Sequence, residues 1–179
     1  MDIHIDDISL RPWKEEDAER LAVIANNKKI FDNLRDAFPY PYSLEDAKEF
    51  ISSVQTDDGR SKVLAIEMAG EVVGSIGAFL QSDVYRKNAE IGYFLAEEQR
   101  GKGIMTKSIR ALVRYLFANT DVIRVYAEPF ARNTGSRRAL KKRTPGQYLK
   151  ERFLKLFVPL VSGILLLVPH SDFLCRKVS

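Results

Sequence analysis

The spacing of apolar residues changes several times along the chain, and each change predicts an element. Ile8-Ser9-Leu10-Arg11 alternates as a half-buried strand does and stops at Pro12. From residue 15 to 26 the period lengthens. Ala18, Leu21, Ala22, Ile24 and Ala25 recur at helical spacing behind Glu15, Glu16 and Asp17, whose charges suit a helix start. A second helix begins after Ser43, a capping residue with Asp46 three positions on, and carries Ala47, Phe50, Ile51 and Val54. Between the two lies Phe38-Pro39-Tyr40-Pro41-Tyr42, an aromatic loop stiffened by two prolines that can wall a pocket or fill a core.

Three strands follow, over residues 61–68, 72–80 and 89–96, and their short connections favour antiparallel neighbours. Gly74 and Gly77 in the second, and Gly92 in the third, predict a bulge or a close backbone approach. Residues 103–119 read as a helix with Ile104, Ile109, Leu112, Val113, Leu116 and Phe117 on one face. A strand over 121–129 places Ile123, Val125 and Ala127 on one side, and a short helix runs from Asn133 to Lys142. The order is that of an α+β fold: strand, two helices, three antiparallel strands, helix, strand, helix.

With 179 residues the chain suits one domain. Cys175 is the single cysteine, and His4 and His170 lie far apart, so neither a disulfide framework nor a zinc-type spacing is present and no metal is expected. No basic stretch followed by an apolar run opens the chain, which predicts a cytoplasmic protein. The net charge of +4 changes little by itself, because it is unevenly placed. Residues 137–179 hold ten basic side chains against Glu151 and Asp172, leaving the rest of the chain acidic. An acidic body with a basic end is a poor nucleic-acid grip, which needs basic groups spread over one docking face.

The chemistry concentrates in Glu90-Ile91-Gly92-Tyr93-Phe94-Leu95-Ala96, followed after three residues by Arg100-Gly101-Lys102-Gly103-Ile104-Met105-Thr106. A strand enters a glycine-bearing turn that opens a helix, where free amides and the helix dipole favour a phosphate. Gly101 and Gly103 allow close approach of the main chain, and Arg100 and Lys102 add charge. A flexible turn is the plain alternative. The spacing matches neither a P-loop nor a dinucleotide fingerprint.

These two motifs resemble the acetyl-CoA signature of the GNAT N-acetyltransferases, with Met105 where a small residue is usual. Leu10-Arg11-Pro12, the Phe38–Tyr42 loop and Asn133-Thr134-Gly135-Ser136 resemble more specifically the RimJ/RimL-like branch of ribosomal-protein N-terminal acetyltransferases. The likeness covers residues 7 to about 140. It implies a splayed, mostly antiparallel sheet with flanking helices. Pantetheine would lie where the Glu90–Ala96 strand parts from the 121–129 strand, bonded to backbone at Phe94, Leu95 and Ala96. The pyrophosphate would sit on Arg100 to Thr106, and Asn133 would orient cofactor or backbone. Glu90, with Glu128 second, is the base implied for the attacking amine, and Ser136 the donor for the departing thiolate. Each has a plainer reading: Glu90 as a surface carboxylate, Ser136 as a first-turn helix residue, Tyr93 and Phe94 as packing. The implied reaction moves an acetyl group from acetyl-CoA to a primary amine, with a protein N-terminus as one acceptor class.

The resemblance stops at Leu140. Lys141-Lys142-Arg143 and the apolar run of residues 156–169 replace the expected closing strands, so 1–142 is read as the acetyltransferase domain and 143–179 as an atypical end. That end suits three alternatives: a CoA-binding protein with an altered acceptor wall, a membrane-surface or oligomer contact through its basic, apolar stretch, or a shifted-frame or chimeric junction.

Overall fold

The structure is a computed structural model that describes residues 2–56 and 59–141, so the expectations for 143–179 lie outside the described residues. Its frame is a six-stranded sheet in sequence order: β1 (Ile3–Ile5), β2 (Ile8–Arg11), β3 (Ser61–Met68), β4 (Glu71–Leu80), β5 (Asn88–Leu95) and β6 (Arg124–Tyr126). The first five strands are antiparallel to their neighbours, and β6 alone runs parallel to its partner, β5. The helices are α1 (Ala18–Ala25), α2 (Lys28–Phe31), α3 (Leu44–Gln55), α4 (Ile104–Asn119) and α5 (Thr134–Lys141).

Most elements form where local pattern places them. Ser43 caps α3 through its side chain, and Asp46 reaches back to the Ser43 amide at 2.7 Å, the reciprocal box anticipated from their spacing. The β3–β4 hairpin turns through Ala69 and Gly70, both at positive φ. β4 bulges beside Ile66 and Glu67, near the Gly74 that suggested it.

Three local features depart from expectation. β1 was not anticipated; it pairs with β2 across the tight Asp6–Asp7 turn. α2 is a single turn capped by the Asn27 side chain. The strand expected over 121–129 contracts to Arg124–Tyr126, and its inward parity begins elsewhere. The Ile123 and Arg124 amides both reach the Lys87 carbonyl, so regular alternation starts only at Arg124. Ile123 is therefore 49% exposed while Val122 is buried.

The two faces of the sheet build two cores. One packs Leu10, Ile66, Val73, Ile76 and Ile91 against Ile104, Ile109, Leu112 and Leu116 of α4. The other gathers Trp13, Leu21, Ile24, Ala47 and Ile51 from the α1–α3 side. A polar clamp joins the second layer to the sheet. Arg11 of β2 donates two hydrogen bonds to Asp17, at 2.7 and 2.9 Å, and a third to Glu67 of β3. Because α4 is the crossover between parallel neighbours, its N-terminus lies at the end of β5, where β5 and β6 separate.

Candidate active site

β5 and β6 pair over only three positions, the last being Glu90 with Tyr126. β5 then continues for five residues, Ile91 to Leu95, bonded to β4 on one edge and, among the described residues, open on the other. Hydrogen-bond parity identifies which backbone groups face the opening. The Asn88 carbonyl accepts from Gln81 at 3.0 Å and the Ala96 amide donates to Val73 at 2.8 Å, so even positions turn toward β4. The Lys87 carbonyl accepts from Ile123 at 2.8 Å, so odd positions turn toward β6. The amides and carbonyls of Ile91, Tyr93 and Leu95 therefore line the fork.

That parity refines the expectation for the three backbone positions. Leu95 faces the fork; Phe94 and Ala96 do not. The Phe94 carbonyl points so directly at β4 that a Cβ on Gly74 would stand 2.5 Å from it. Ala96 has its amide on Val73 and its carbonyl on the Gln99 amide. The Phe94 side chain lies instead on the α1–α3 face, edge-on to Phe38 with ring centroids 6.0 Å apart. Phe38 in turn stacks on Tyr42, so part of the aromatic loop forms a wall on that side.

At the far end of β5 the chain makes the turn that the glycines foretold. Gly101 and Gly103 adopt φ of +81° and +82°, and Gly103 is the N-cap of α4. Among the described residues no side chain caps this helix. The first amide of the helix to find a carbonyl is that of Lys107, which donates to Gly103 at 3.1 Å. The amides of Ile104, Met105 and Thr106 precede that bond and have no helical acceptor. Gly101, Lys102 and Gly103 are exposed, so these donors and the positive end of a sixteen-residue dipole open to one side. Ile104 is buried and Met105 packs against the α4-side core, so both contribute backbone only. Lys102 Nζ donates to Gln99 Oε1 at 2.8 Å, and Arg100 is exposed beside it.

On the α4 face of the fork, Asn133 stands at the start of α5, and its Oδ1 accepts the Ser136 amide at 3.1 Å. The Asn133 side chain thus orients backbone. Ser136 Oγ lies 2.7 Å from the Tyr93 hydroxyl. Burial pushes the Tyr93 pKa up, against a smaller opposing effect of its hydrogen bond with Ser136. On the opposite face, Glu90 sits at the last paired position, and its carboxylate accepts a hydrogen bond from Arg35. The same guanidinium lies 4.0 Å from Glu128, on the segment leaving β6. Glu90, Glu128 and Arg35 therefore mark one mouth of the fork, while Tyr93 and Ser136 mark the other.

Neither Arg35 nor the Tyr93 hydroxyl was anticipated as part of the site. Arg35 joins Glu90 across 55 positions of sequence, which no local spacing encodes. Tyr93 reads as an inward strand residue, and only its partner on α5 gives its hydroxyl a place. Among the described residues no group of histidine, cysteine and carboxylate side chains is arranged to hold a metal, and no helix is long and apolar enough to cross a membrane.

Among the described residues, an extended strand edge with free main-chain groups leads to a helix start with unclaimed amides. That arrangement suits a ligand with an amide-bearing arm and a diphosphate. Comparison with known proteins agrees. The family model for the acetyltransferase (GNAT) domain matches residues 7–143. The candidate N-acetyltransferase YjcK of Bacillus subtilis (strain 168) is 30% identical over 142 residues, covering 75% of this chain and 78% of its own. The candidate ribosomal N-acetyltransferase YdaF of the same organism is 34% identical over 123 residues, 66% of each chain. The solved structure of RimL, a ribosomal L7/L12 α-N-protein acetyltransferase in complex with coenzyme A, superposes with a TM-score of 0.71 at 23% identity, covering 79% of this chain and 82% of that one. The chain belongs to the GNAT acetyltransferase family and is an acetyl-CoA-dependent N-acetyltransferase.

Proposed function

We propose that this chain acetylates the primary α-amine at a protein or peptide N-terminus. The observation that carries the reading is the fork itself, a passage through the sheet with different chemistry at its two mouths. The diphosphate of acetyl-CoA would rest on the amides from Gly101 to Thr106, and its amide-bearing arm would follow the open edge of β5 at Tyr93 and Leu95. The thioester then stands between the Tyr93–Ser136 pair and the Glu90–Arg35 pair, and the amine enters on the Glu90 side.

The transfer needs three proton movements and one exchange of bonds. An ammonium gives its proton to the Glu90 carboxylate, directly or through one water, and becomes a nucleophile. Its nitrogen attacks the thioester carbonyl carbon and forms the C–N bond; as the adduct collapses the nitrogen gives its second proton to water, the C–S bond breaks, and the sulfur leaves as a thiolate. Ser136 donates its hydroxyl proton to that thiolate and recovers one from solvent. A backbone amide on the β5 edge stabilises the carbonyl oxygen as charge builds on it. Two features favour a peptide N-terminus as acceptor. The α1–α3 mouth is walled by Phe38 and Phe94, with Tyr42 buried behind Phe38 and Glu90 on the same face of β5, which suits an amine on an extended, partly apolar chain. RimL, of similar fold, acts on the α-amine of a ribosomal protein.

The test is acetyl-CoA turnover, read as release of free thiol, against peptides with a free N-terminus, the same peptides N-terminally blocked but carrying lysine, and small diamines. Turnover confined to free N-termini supports the reading. Turnover with the lysine side chain or diamines alone overturns the acceptor class and leaves the acetyltransferase in place.

A further inference from the structure

We propose that Tyr93 is a positioning residue for acyl transfer: its phenol donates to Ser136 Oγ and leaves the serine proton free to meet the CoA sulfur. The inference rests on the acetyl-CoA reading of the fork and deepens it. A serine hydroxyl has one proton to give and can accept two. Were Ser136 to donate to Tyr93, nothing would remain for the sulfur. With the phenol as donor, the 2.7 Å contact occupies an accepting position on Oγ and restricts how the hydroxyl rotates.

The surroundings hold this geometry from both sides. Tyr93 is fixed in the β5 ladder opposite Ile76, and its ring packs on the α4-side core. Ser136 is fixed by the Asn133 Oδ1 contact to its amide, so its hydroxyl is not needed as a helix cap. Tyr93 lies three residues beyond the last β5–β6 pair, and Ser136 lies on the helix that follows β6. The hydrogen bond therefore spans the two arms of the fork. Burial favours the neutral phenol, which keeps Tyr93 a donor across the range in which a thiol ionises. A chain of two hydroxyls also polarises the outer one, making it a better donor to an anion.

The experiment measures binding of CoA and of desulfo-CoA to the full chain by calorimetry at neutral pH and at about pH 9.5, where a substantial share of the CoA thiol is ionised. The wild-type protein is expected to gain affinity for CoA over desulfo-CoA by about tenfold at the higher pH, the size of one charge-assisted hydrogen bond. Tyr93→Phe and Ser136→Ala should each remove that gain, leave desulfo-CoA affinity within about twofold, and lower kcat with little change in KM for acetyl-CoA. The double variant should lose no more than the worse single one. Tyr93→Phe that keeps the gain, or that weakens desulfo-CoA as much as CoA, overturns the proposal and makes the contact a helix anchor. Wild type that binds both ligands equally at both pH values also overturns it, while the fork remains a CoA site. If wild type binds neither ligand, the acetyl-CoA reading itself fails, and the proposal with it.

Discussion

Arg35 donates to the Glu90 carboxylate from the far side of the fork mouth, and no other carboxylate besides Glu128 lies within ion-pair distance of it among the described residues. Arg35 is largely exposed, so on the proposed reading the cation stands where an incoming ammonium would approach, and the two would compete for Glu90. Arg35→Ala should lower KM for a cationic acceptor by about threefold, the worth of one exposed ion pair, with stability changed by less than ~0.5 kcal/mol. Glu90→Gln should lower kcat/KM by about 10²-fold at neutral pH and by less as the pH rises and the amine deprotonates unaided. Steady-state kinetics over a pH series reads both. A Glu90→Gln profile parallel to that of wild type would remove Glu90 as the base.

Gly103 takes φ of +82° with open space around its missing Cβ, so its requirement is conformational and not one of crowding. Gly103→Ala should cost about 1–2 kcal/mol of stability through the left-handed backbone, and the relaxed turn should misdirect the helix-start amides. CoA affinity should drop more than the melting temperature suggests, whereas an α4 surface substitution such as Arg114→Ala should leave both unchanged. Calorimetry beside thermal unfolding separates the two effects.

Gly74 is demanded for the opposite reason. A Cβ there meets the Phe94 carbonyl oxygen at 2.5 Å, and a strand backbone cannot move aside as a side chain can. Gly74→Ala should push β4 and β5 apart, destabilise the protein by about 1–3 kcal/mol and weaken CoA binding as the open edge shifts. Urea unfolding and ligand titration of one variant test the link. Loss of stability with unchanged CoA affinity would show that the edge tolerates the displacement.

The Arg11–Asp17 clamp predicts an acid limb in stability. Burial alone would raise the Asp17 pKa, but hydrogen bonds from Arg11 and from the Lys14 amide outweigh it and hold the value below the usual carboxylate range. A folded value below the unfolded one stabilises the protein at neutral pH, and that contribution is lost as pH falls through the depressed value. Asp17→Asn should cost about 3 kcal/mol at pH 7, since it leaves the Arg11 guanidinium half-paired, and should flatten the decline toward acid. Urea midpoints across the acid range measure it.

Local order in the chain accounts for much of what was foreseen. Capping by Ser43 and Asp46, the strand-turn-helix around Gly101 and Gly103, and the antiparallel run of β3, β4 and β5 depend on residues within a few positions of one another. Backbone dihedrals and hydrophobic period act at that range. Where contacts between distant elements govern, the sequence misleads or is silent. β6 ends at Tyr126, where it parts from a β5 that continues for five more residues, and Ile123 turns outward because two amides share one carbonyl.

The amino-acid order by itself therefore determined the family signature, most of the elements and the glycine turn that opens α4, all of which rest on short-range geometry. Tertiary structure decided which β5 amides face the opening, that Arg35 meets Glu90, and that the Tyr93 hydroxyl meets Ser136. Strand parity depends on which neighbour each edge bonds, and those two partnerships close loops of 55 and 43 residues. Such pairings come into being only when the whole sheet and its crossover helix have packed.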